Sequence, residues 1–448
     1  MFDYDAMGRI KTIANAVGTT SNVYDDWQLT VTDAEGSIKD LYKDARGNLV
    51  RVDEHNGTST YTTLYEWNDI GNLTKITDAV GNVRNFTYDN LGRRTYASDL
   101  HTVTDAEFSS STFAYDETGN VTTMIDGKGQ TVEYTYDTLN RLISENFAGQ
   151  SGVEIVYAYD TCTYGIGKLC FATTSSSVLS NNYDALGRIA NELDTIASTT
   201  FQTYYEYDRR GNQTVVVNPG GARTEYFYND GSLVEHIRYK PSGGASVAIV
   251  EDIDYGPHGH AVFERRANGI ETTNTYNPNA LYRLVHRYSE SELGGISPVI
   301  QDITYGYDAV GNVISLTDDA PTNNGRSVLY TYDDLHRLTS ASTTATNNND
   351  GYKEKYTYDP LGNILTKGTG FTTYHYQGTT TGSYANPHAV TKIRTSPLTY
   401  DKNGNLLSSL GATSTYTYRN ELAVHVKGAT TTTYTYDCLL YTSDAADE

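Results

Sequence analysis

Short runs in which aromatic or aliphatic residues alternate with Thr, Asn, Arg or Glu recur along the whole chain, and most end at Asp, Asn or Gly. In the stretch Asp78 to Arg94, DAVGNVRNFTYDNLGRR, the run Arg84-Asn85-Phe86-Thr87-Tyr88 places Phe86 and Tyr88 on one face of a strand. Turns flank it: Asp78-Ala79-Val80-Gly81-Asn82 before, and Asp89-Asn90-Leu91-Gly92-Arg93 after. An Asp opening a tight turn hydrogen-bonds its own backbone, and a Gly three places on accepts the positive φ that closes it. A type I turn followed by a left-handed Gly joins antiparallel strands. Windows with helical spacing, such as Ile189–Ile196, are short and interrupted by Asp and Thr. The pattern predicts an almost entirely β chain.

The strand–turn unit repeats from end to end. Its signature is aromatic-x-Tyr-Asp-x-x-Gly-[Asn/Arg]-apolar, as in FDYDAMGRI, FAYDETGNV, YGYDAVGNV and YTYDPLGNI. The best-formed turns pair Asp5 with Gly8, Asp89 with Gly92, Asp116 with Gly119 and Asp184 with Gly187. Further along come Asp208 with Gly211, Asp308 with Gly311, Asp359 with Gly362 and Asp401 with Gly404. Variants keep the chemistry: Asn140 takes the Gly place, where Asn also tolerates left-handed backbone, and Trp67-Asn68 stand for Tyr-Asp. The Tyr-Asp pairs fall at intervals of roughly 18 to 30 residues, within the range of repeat architectures. Tyr-less turns such as Asp78–Asn82 and Asp126–Gly129 lie between them, so the unit reads as a hairpin. An isolated hairpin is marginal in water, so the hairpins must lie side by side. A ribbon of hairpins without one compact core must curve and close, or leave long edges open. The expected fold is therefore all-β: consecutive antiparallel hairpins spiralling into a hollow shell, here a partial one.

Composition sharpens this picture. Forty Tyr against 10 Phe and 2 Trp, in a chain only 38% hydrophobic, mean that tyrosine rather than an aliphatic core supplies the buried area. Thr beside Tyr, as in Tyr416-Thr417-Tyr418 and Thr430–Thr435, suits a strand with a semi-polar second face. The net charge of −22 argues against nucleic acid, whose phosphates need a cationic footprint. Nothing in the sequence approaches the run of roughly 20 apolar residues needed for a membrane span.

Met1 lies inside a repeat, so the chain is expected to be a fragment whose start lies upstream. Residues 1–437 read as one repeat region. Residues 438–448, beginning at Cys438, break the repeat in mid-turn and look like a translated sequencing adapter, which places the natural end elsewhere. Cys162 and Cys170 flank a Gly-containing loop that can bring them together. They form a disulfide if the protein is exported, or remain two thiols beside a hairpin.

Catalysis needs convergent groups, and the nucleophile elbow, Walker loop, H-E-x-x-H and dinucleotide signatures are all missing. The carboxylate pairs Asp252/Asp254 and Asp318/Asp319 read as solvated strand or turn residues. His258 and His260 share a strand face and are a weak candidate for metal, against a variant Tyr-Asp turn. The Asp-rich turns lack the calcium-loop spacing. The expectation is a non-enzyme with no cofactor and no metal.

The Tyr-Asp-x-x-Gly-[Asn/Arg] units, from Phe2 to Asp437, resemble the RHS/YD-repeat family. The block Asn386-Pro387-His388-Ala389-Val390-Thr391, followed by Tyr400-Asp401-Lys402-Asn403-Gly404-Asn405, is similar to a segment that bacterial members carry before their C-terminal core. The Cys162-to-Cys170 loop also resembles a recurring family feature. The resemblance implies a shell that encloses a C-terminal toxin or effector, with a secreted or cell-surface location. In bacterial polymorphic toxins and insecticidal toxin complexes the shell holds that cargo until delivery; in teneurins a similar barrel serves adhesion. The alternative is therefore an extracellular adhesion module that binds cell-surface carbohydrate. Family self-cleavage belongs to a core that these residues do not contain.

Overall fold

The computed structural model describes residues 1–102, 109–150, 152–291, 299–321, 326–343, 353–370, 372–376 and 386–436. Asp437 and the proposed adapter segment 438–448 lie outside them. Among the described residues there are 41 strands, one three-residue 3-10 turn (Pro278–Ala280) and no α-helix. The window Ile189–Ile196 is a strand. Two stretches depart from expectation. Thr417 and Tyr418 are not strand, because the strand Ala412–Tyr416 ends just before them and they form the turn that follows. The strand at Thr430–Thr433 stops short of Tyr434.

Nearly every strand pairs antiparallel with the next in the chain, as successive hairpins require; His101–Thr102 instead pairs back with Asn82–Tyr88, and Arg94–Ser98 pairs past it with Ser110–Tyr115. Examples are Thr131–Tyr136 with Leu142–Phe147, and Ser177–Tyr183 with Ile189–Ile196. The main sheet has 36 strands, and a five-stranded sheet, Thr399–Thr433, follows it. The handover is bridged by Leu398 N donating to Thr391 O (2.8 Å) and the Tyr400 hydroxyl donating to Val390 O (2.8 Å).

A one-residue bulge recurs beside the Tyr-Asp turns. Tyr136 faces Leu142 while Thr135 faces Ser144, so Ile143 is extra. Tyr207/Gln213 and Glu206/Val215 leave Thr214 extra, and Tyr358/Ile364 and Thr357/Thr366 leave Leu365 extra. A bulge bends its strand and increases right-handed twist. One bulge per hairpin therefore gives the ribbon a constant curl. No short-range sequence signal marks it, because the extra residue falls at an ordinary strand position.

The curl brings the ribbon back beside itself. Ala309 N donates to Glu35 (2.7 Å) across 274 residues, Gly57 N to Asp334 (2.7 Å) across 277, and Asn403 Nδ2 to Asp126 (2.6 Å) across 277. Contacts of this kind span sequence separations of 262 to 303 residues. The ribbon thus completes a coil in about 275 residues and begins a second on top of the first. Buried apolar residues are strung along it. They include a cluster of Ile155, Tyr157, Ala172 and Leu179, and among the described residues no single central core gathers them.

Candidate functional site: the turn ladder and the seam between coils

The ribbon has two turn-lined edges. One edge carries the Tyr-Asp turns, and the other carries the Tyr-less turns between them, such as Asp78–Asn82 and Asp126–Gln130.

At Asp89 the tight turn is a closed set of bonds. Asp89 N donates to Arg93 O (2.9 Å), and Gly92 N to Asp89 O (3.0 Å). Asp89 Oδ1 accepts the backbone N–H of both Leu91 and Arg93 (2.9 Å each), and Oδ2 accepts Arg93 Nε (2.7 Å). Gly92 has φ +77°, which an L side chain resists. The Gly N–H to Asp O bond recurs at Asp5/Gly8 (3.0 Å), Asp116/Gly119 (3.3 Å), Asp184/Gly187 (2.9 Å) and Asp208/Gly211 (3.3 Å). It recurs again at Asp359/Gly362 (3.1 Å) and Asp401/Gly404 (3.0 Å), while at Asp308 the Gly311 N–H goes to the carboxylate instead (2.7 Å). Asn140 takes the left-handed position at φ +61°.

These bonds explain the Asn or Arg after Gly. It binds its own Asp and reaches the next turn. Arg93 Nη1 donates to Asp116 O (2.7 Å), Arg188 Nη1 to Asp208 O (2.9 Å), and Asn405 Nδ2 to Asn420 Oδ1 (2.8 Å). At several turns these bonds hold the Asp carboxyl low in pKa, among them Asp5, Asp89, Asp137 and Asp184. Asp116 falls from 3.8 to about 2, chiefly through the Asn120 side chain, and Asp160 to about 2 through Arg141 and then Gly167 N–H.

The tyrosine before Asp has its own fixed partner. Its hydroxyl donates to a backbone carbonyl just past the preceding turn: Tyr88 to Leu73 O (2.7 Å), Tyr183 to Leu169 O (2.7 Å), Tyr207 to Ile189 O (3.0 Å) and Tyr358 to Leu338 O (2.7 Å). Trp67 Nε1 does the same to Leu49 O (2.8 Å), which is why an indole substitutes where Phe would not. The ladder Arg lies over the next tyrosine, 4.7 Å from the Tyr115 ring centre for Arg93 and 4.5 Å from Tyr207 for Arg188. The excess of Tyr over Phe follows from this bond.

Cys162 and Cys170 are joined within an enlarged turn, Cα atoms 5.4 Å apart. A side chain at Gly165 would collide with both sulfurs, at 2.2 and 2.6 Å. The Asn386 turn sits in the ladder: Asn363 Nδ2 donates to Pro387 O (3.0 Å), and His388 Nδ1 lies 3.0 Å from Asn363 Oδ1. His258 and His260 lie in the turn after Tyr255 and not on the expected shared strand face. Their rings contact Tyr282 (3.7 Å) and Tyr276 (4.8 Å). Asp318 Oδ1 accepts the backbone N–H of Asp302 and Ala320 (3.1 Å each). Among the described residues no group of three or more His, Cys, Asp or Glu is arranged to hold a metal ion.

At the seam, Tyr-Asp turns of the second coil meet Tyr-less turns of the first. His336 Nε2 lies 2.7 Å from Asp33 Oδ2, and Lys128 Nζ lies 3.5 Å from Asp401. The most enclosed contact is at Arg419. Its Nη2 donates to Glu145 Oε1 (2.9 Å) and to the Tyr157 hydroxyl oxygen (3.1 Å), while that hydroxyl donates to Glu145 (2.7 Å). The Arg419 and Glu145 side chains are 9% and 7% exposed. Burial, then the Glu145 charge, pushes the Tyr157 hydroxyl far up, so it stays a donor. Beside this group Tyr418 stacks on Phe147, ring centres 5.1 Å apart and nearly parallel at 4°. Sequence reasoning missed these residues; Tyr418 and Arg419 lie in a turn where Thr417 replaces Asp, and Glu145, Phe147 and Tyr157 lie on strands of the first coil. The departure from Asp, with Tyr-Arg in the tip, was the available signal.

Comparison with known proteins agrees with this geometry. The RHS Repeat family model matches residues 67–99 and 115–151. Toxin subunits YenC1 and YenC2 of Yersinia entomophaga are 28% and 27% identical over 200 residues, 39% and 38% of this chain and 20% of each relative. Among solved structures, a Photorhabdus luminescens Tc holotoxin pore matches with TM-score 0.81 at 16% identity, covering 96% of this chain and 24% of that one. A TcdB2-TccC3 crystal structure also gives 0.81, at 17% identity, covering 96% of this chain and 25% of the other. The chain thus spans about a fifth of the curated relatives it matches and about a quarter of the solved chains. The coiled ribbon of antiparallel hairpins shares its fold with these Tc-toxin chains.

Proposed function

We propose, from the premise that this is an RHS-repeat protein of Tc-toxin-like architecture, that its ribbon is one stretch of a shell enclosing a toxin or effector polypeptide. The seam carries this reading: two coils locked edge to edge make a wall, and a wall needs strand pairing and locks rather than a reactive site. The names of the relatives, toxin subunits, point the same way. The residues here act structurally. The cargo is a polypeptide that the ribbon surrounds, and the assembly works after export from the cell. A carbohydrate-binding role finds less support, because the repeat tyrosines already give their hydroxyls to backbone carbonyls.

The test is protease challenge and electron microscopy of the full-length gene product. A hollow particle is expected, with the C-terminal polypeptide protected in the wild type and digested when Arg419→Ala opens the seam. A solid particle, or a C-terminal polypeptide cut as fast as it is when expressed alone, overturns the proposal.

A further inference from the structure

We propose that successive turns on the Tyr-Asp edge recognise one another pairwise: the residue after the left-handed position of one turn decides what the next turn carries at its own left-handed position. This rests on the ladder geometry and not on any cargo. Two kinds of match occur. An Arg finds a main-chain acceptor. Nη1 of Arg93, Arg188, Arg283 and Arg337 donates to the carbonyl of the Asp that opens the next turn, at 2.7 to 3.2 Å. In each of those next turns the left-handed residue is Gly, at Gly119, Gly211, Gly311 and Gly362. An Asn finds a side-chain acceptor instead. Asn120 Nδ2 donates to Asn140 Oδ1 (2.9 Å), Asn212 Nδ2 to Ser232 Oγ (3.1 Å) and Asn405 Nδ2 to Asn420 Oδ1 (2.8 Å), and Asn312 Nδ2 lies 3.3 Å from His336 Nδ1. Each of these acceptors belongs to the left-handed residue, at φ +59° to +63°.

Left-handed backbone is unfavourable for an L side chain, so Gly is the default where the side chain has no task. Arg takes an acceptor that every residue carries and leaves the position to Gly. At Gly311 it also leaves no room, because a Cβ there would lie 3.0 Å from Arg283 Nη2. The shorter Asn amide is met by an oxygen or nitrogen on the left-handed side chain, and that bond offsets the unfavourable φ. Asn363 faces the differently built Asn386 turn, where it meets Pro387 O and His388. Two Asn-bearing turns precede a Gly. In the turn 44–48, Arg46 makes the reach in place of Asn48, donating to Asp69 O (2.6 Å). At Asn72 no residue does so: its Nδ2 is buried without a hydrogen-bond partner, and a Cβ at Gly92 would lie 3.5 Å from it. The step from Asn72 to Gly92 is therefore a mismatch, a ladder donor that faces the left-handed position of the next turn and meets no side chain. Elsewhere the match ties each hairpin to its own successor, which disfavours slipped pairing among repeats that otherwise look alike.

The experiment is amide hydrogen exchange of the whole chain, read by mass spectrometry on peptides that span single turns and corrected for intrinsic rates. Gly92→Asn supplies the acceptor that Asn72 lacks and should slow exchange in the turns 68–72 and 89–93 by about fivefold. Gly92→Ala has the same backbone burden and no acceptor, and should speed it. Gly119→Asn follows an Arg and should speed exchange in the turn 116–120. Combining it with Arg93→Asn recreates the Asn match, so the double variant should keep at least about threefold more protection than the two single changes predict together. The two arms use different turns, so a variant that fails to fold in one leaves the other to decide. Gly92→Asn that exchanges no more slowly than Gly92→Ala, or a double variant whose losses simply add, overturns the proposal.

Discussion

The turn at Asp89 and the turn at Thr417 share a backbone but differ in what holds them. At Asp89 every polar partner lies within the turn or in the next one, at Asp116. At Thr417 the hydroxyl accepts the Arg419 and Glu421 N–H groups (3.2 Å each), and Asn420 closes the turn at φ +63°. Its tip residues then leave the turn to engage Phe147, Glu145 and Tyr157, more than 260 residues away. The ladder builds the ribbon, and the seam locks one coil onto the other once the curl has brought them together. A local turn tolerates loss of one bond because its neighbours remain. A buried ion pair between coils has no such reserve.

Arg419→Ala should therefore be the most damaging change. Removing one partner of a buried, hydrogen-bonded pair costs about 3–5 kcal/mol, because Glu145 is left charged and dry. Replacing both partners with apolar residues, Arg419→Met with Glu145→Leu, should recover most of that loss. Denaturant unfolding of the single and double variants checks this, and equal losses in both would remove the distinction between seam and ladder. Gly92→Val comes next. It forces a β-branched residue to φ +77° and should cost more than about 1 kcal/mol without touching the seam. An unchanged unfolding midpoint would show that the ladder bears no strain at Gly92.

The same contrast governs what could be read from the chain. The Asp-x-x-Gly turns, the strand between them and the hairpin repeat are set by residues within a few positions, so turn chemistry and alternation reveal them at Asp89 and Asn140. The recurring bulge was not legible: Ile143 and Thr214 look like ordinary strand residues, and only the register with the partner strand shows that they are extra. The seam was legible least. Glu145 and Arg419 lie 274 residues apart, and only the accumulated curl decides that they meet. Gly165 was visible as a loop glycine, but its purpose beside two sulfurs required the folded turn. The role of tyrosine was read as buried area, whereas the carbonyl that each hydroxyl reaches belongs to a neighbouring hairpin.

Tyr207→Phe separates those two roles. The ring and its packing stay, and only the bond to Ile189 O is lost, so a loss near 1 kcal/mol is expected. Tyr207→Trp should cost less than burial change alone suggests if its indole N–H reaches the carbonyl as that of Trp67 does. Thermal unfolding of the pair decides it: equal stability of Phe and wild type would return tyrosine to a purely apolar role.

The smallest expected effect is the pH response of the ladder. Asp116 has its carboxyl lowered from 3.8 to about 2 by the Asn120 side chain, with Thr118 adding to it against the opposing effect of desolvation. A carboxyl that binds its proton more weakly in the folded state stabilises the fold fully above its unfolded value. That contribution is lost as pH falls from about 4 through about 2. Other ladder carboxyls lowered in the same direction, among them Asp5, Asp89, Asp137 and Asp184, add slope in the acid range. Asp116→Asn should keep the turn, since Asn68, Asn218 and Asn229 open native turns of the same shape, but it should flatten the acid limb. The seam pair Arg419–Glu145 is identical in both proteins. Unfolding midpoints of wild type and Asp116→Asn should therefore differ near neutral pH and converge toward pH 2, and parallel curves over that range would mean that the Asn120 bond draws nothing from the charge.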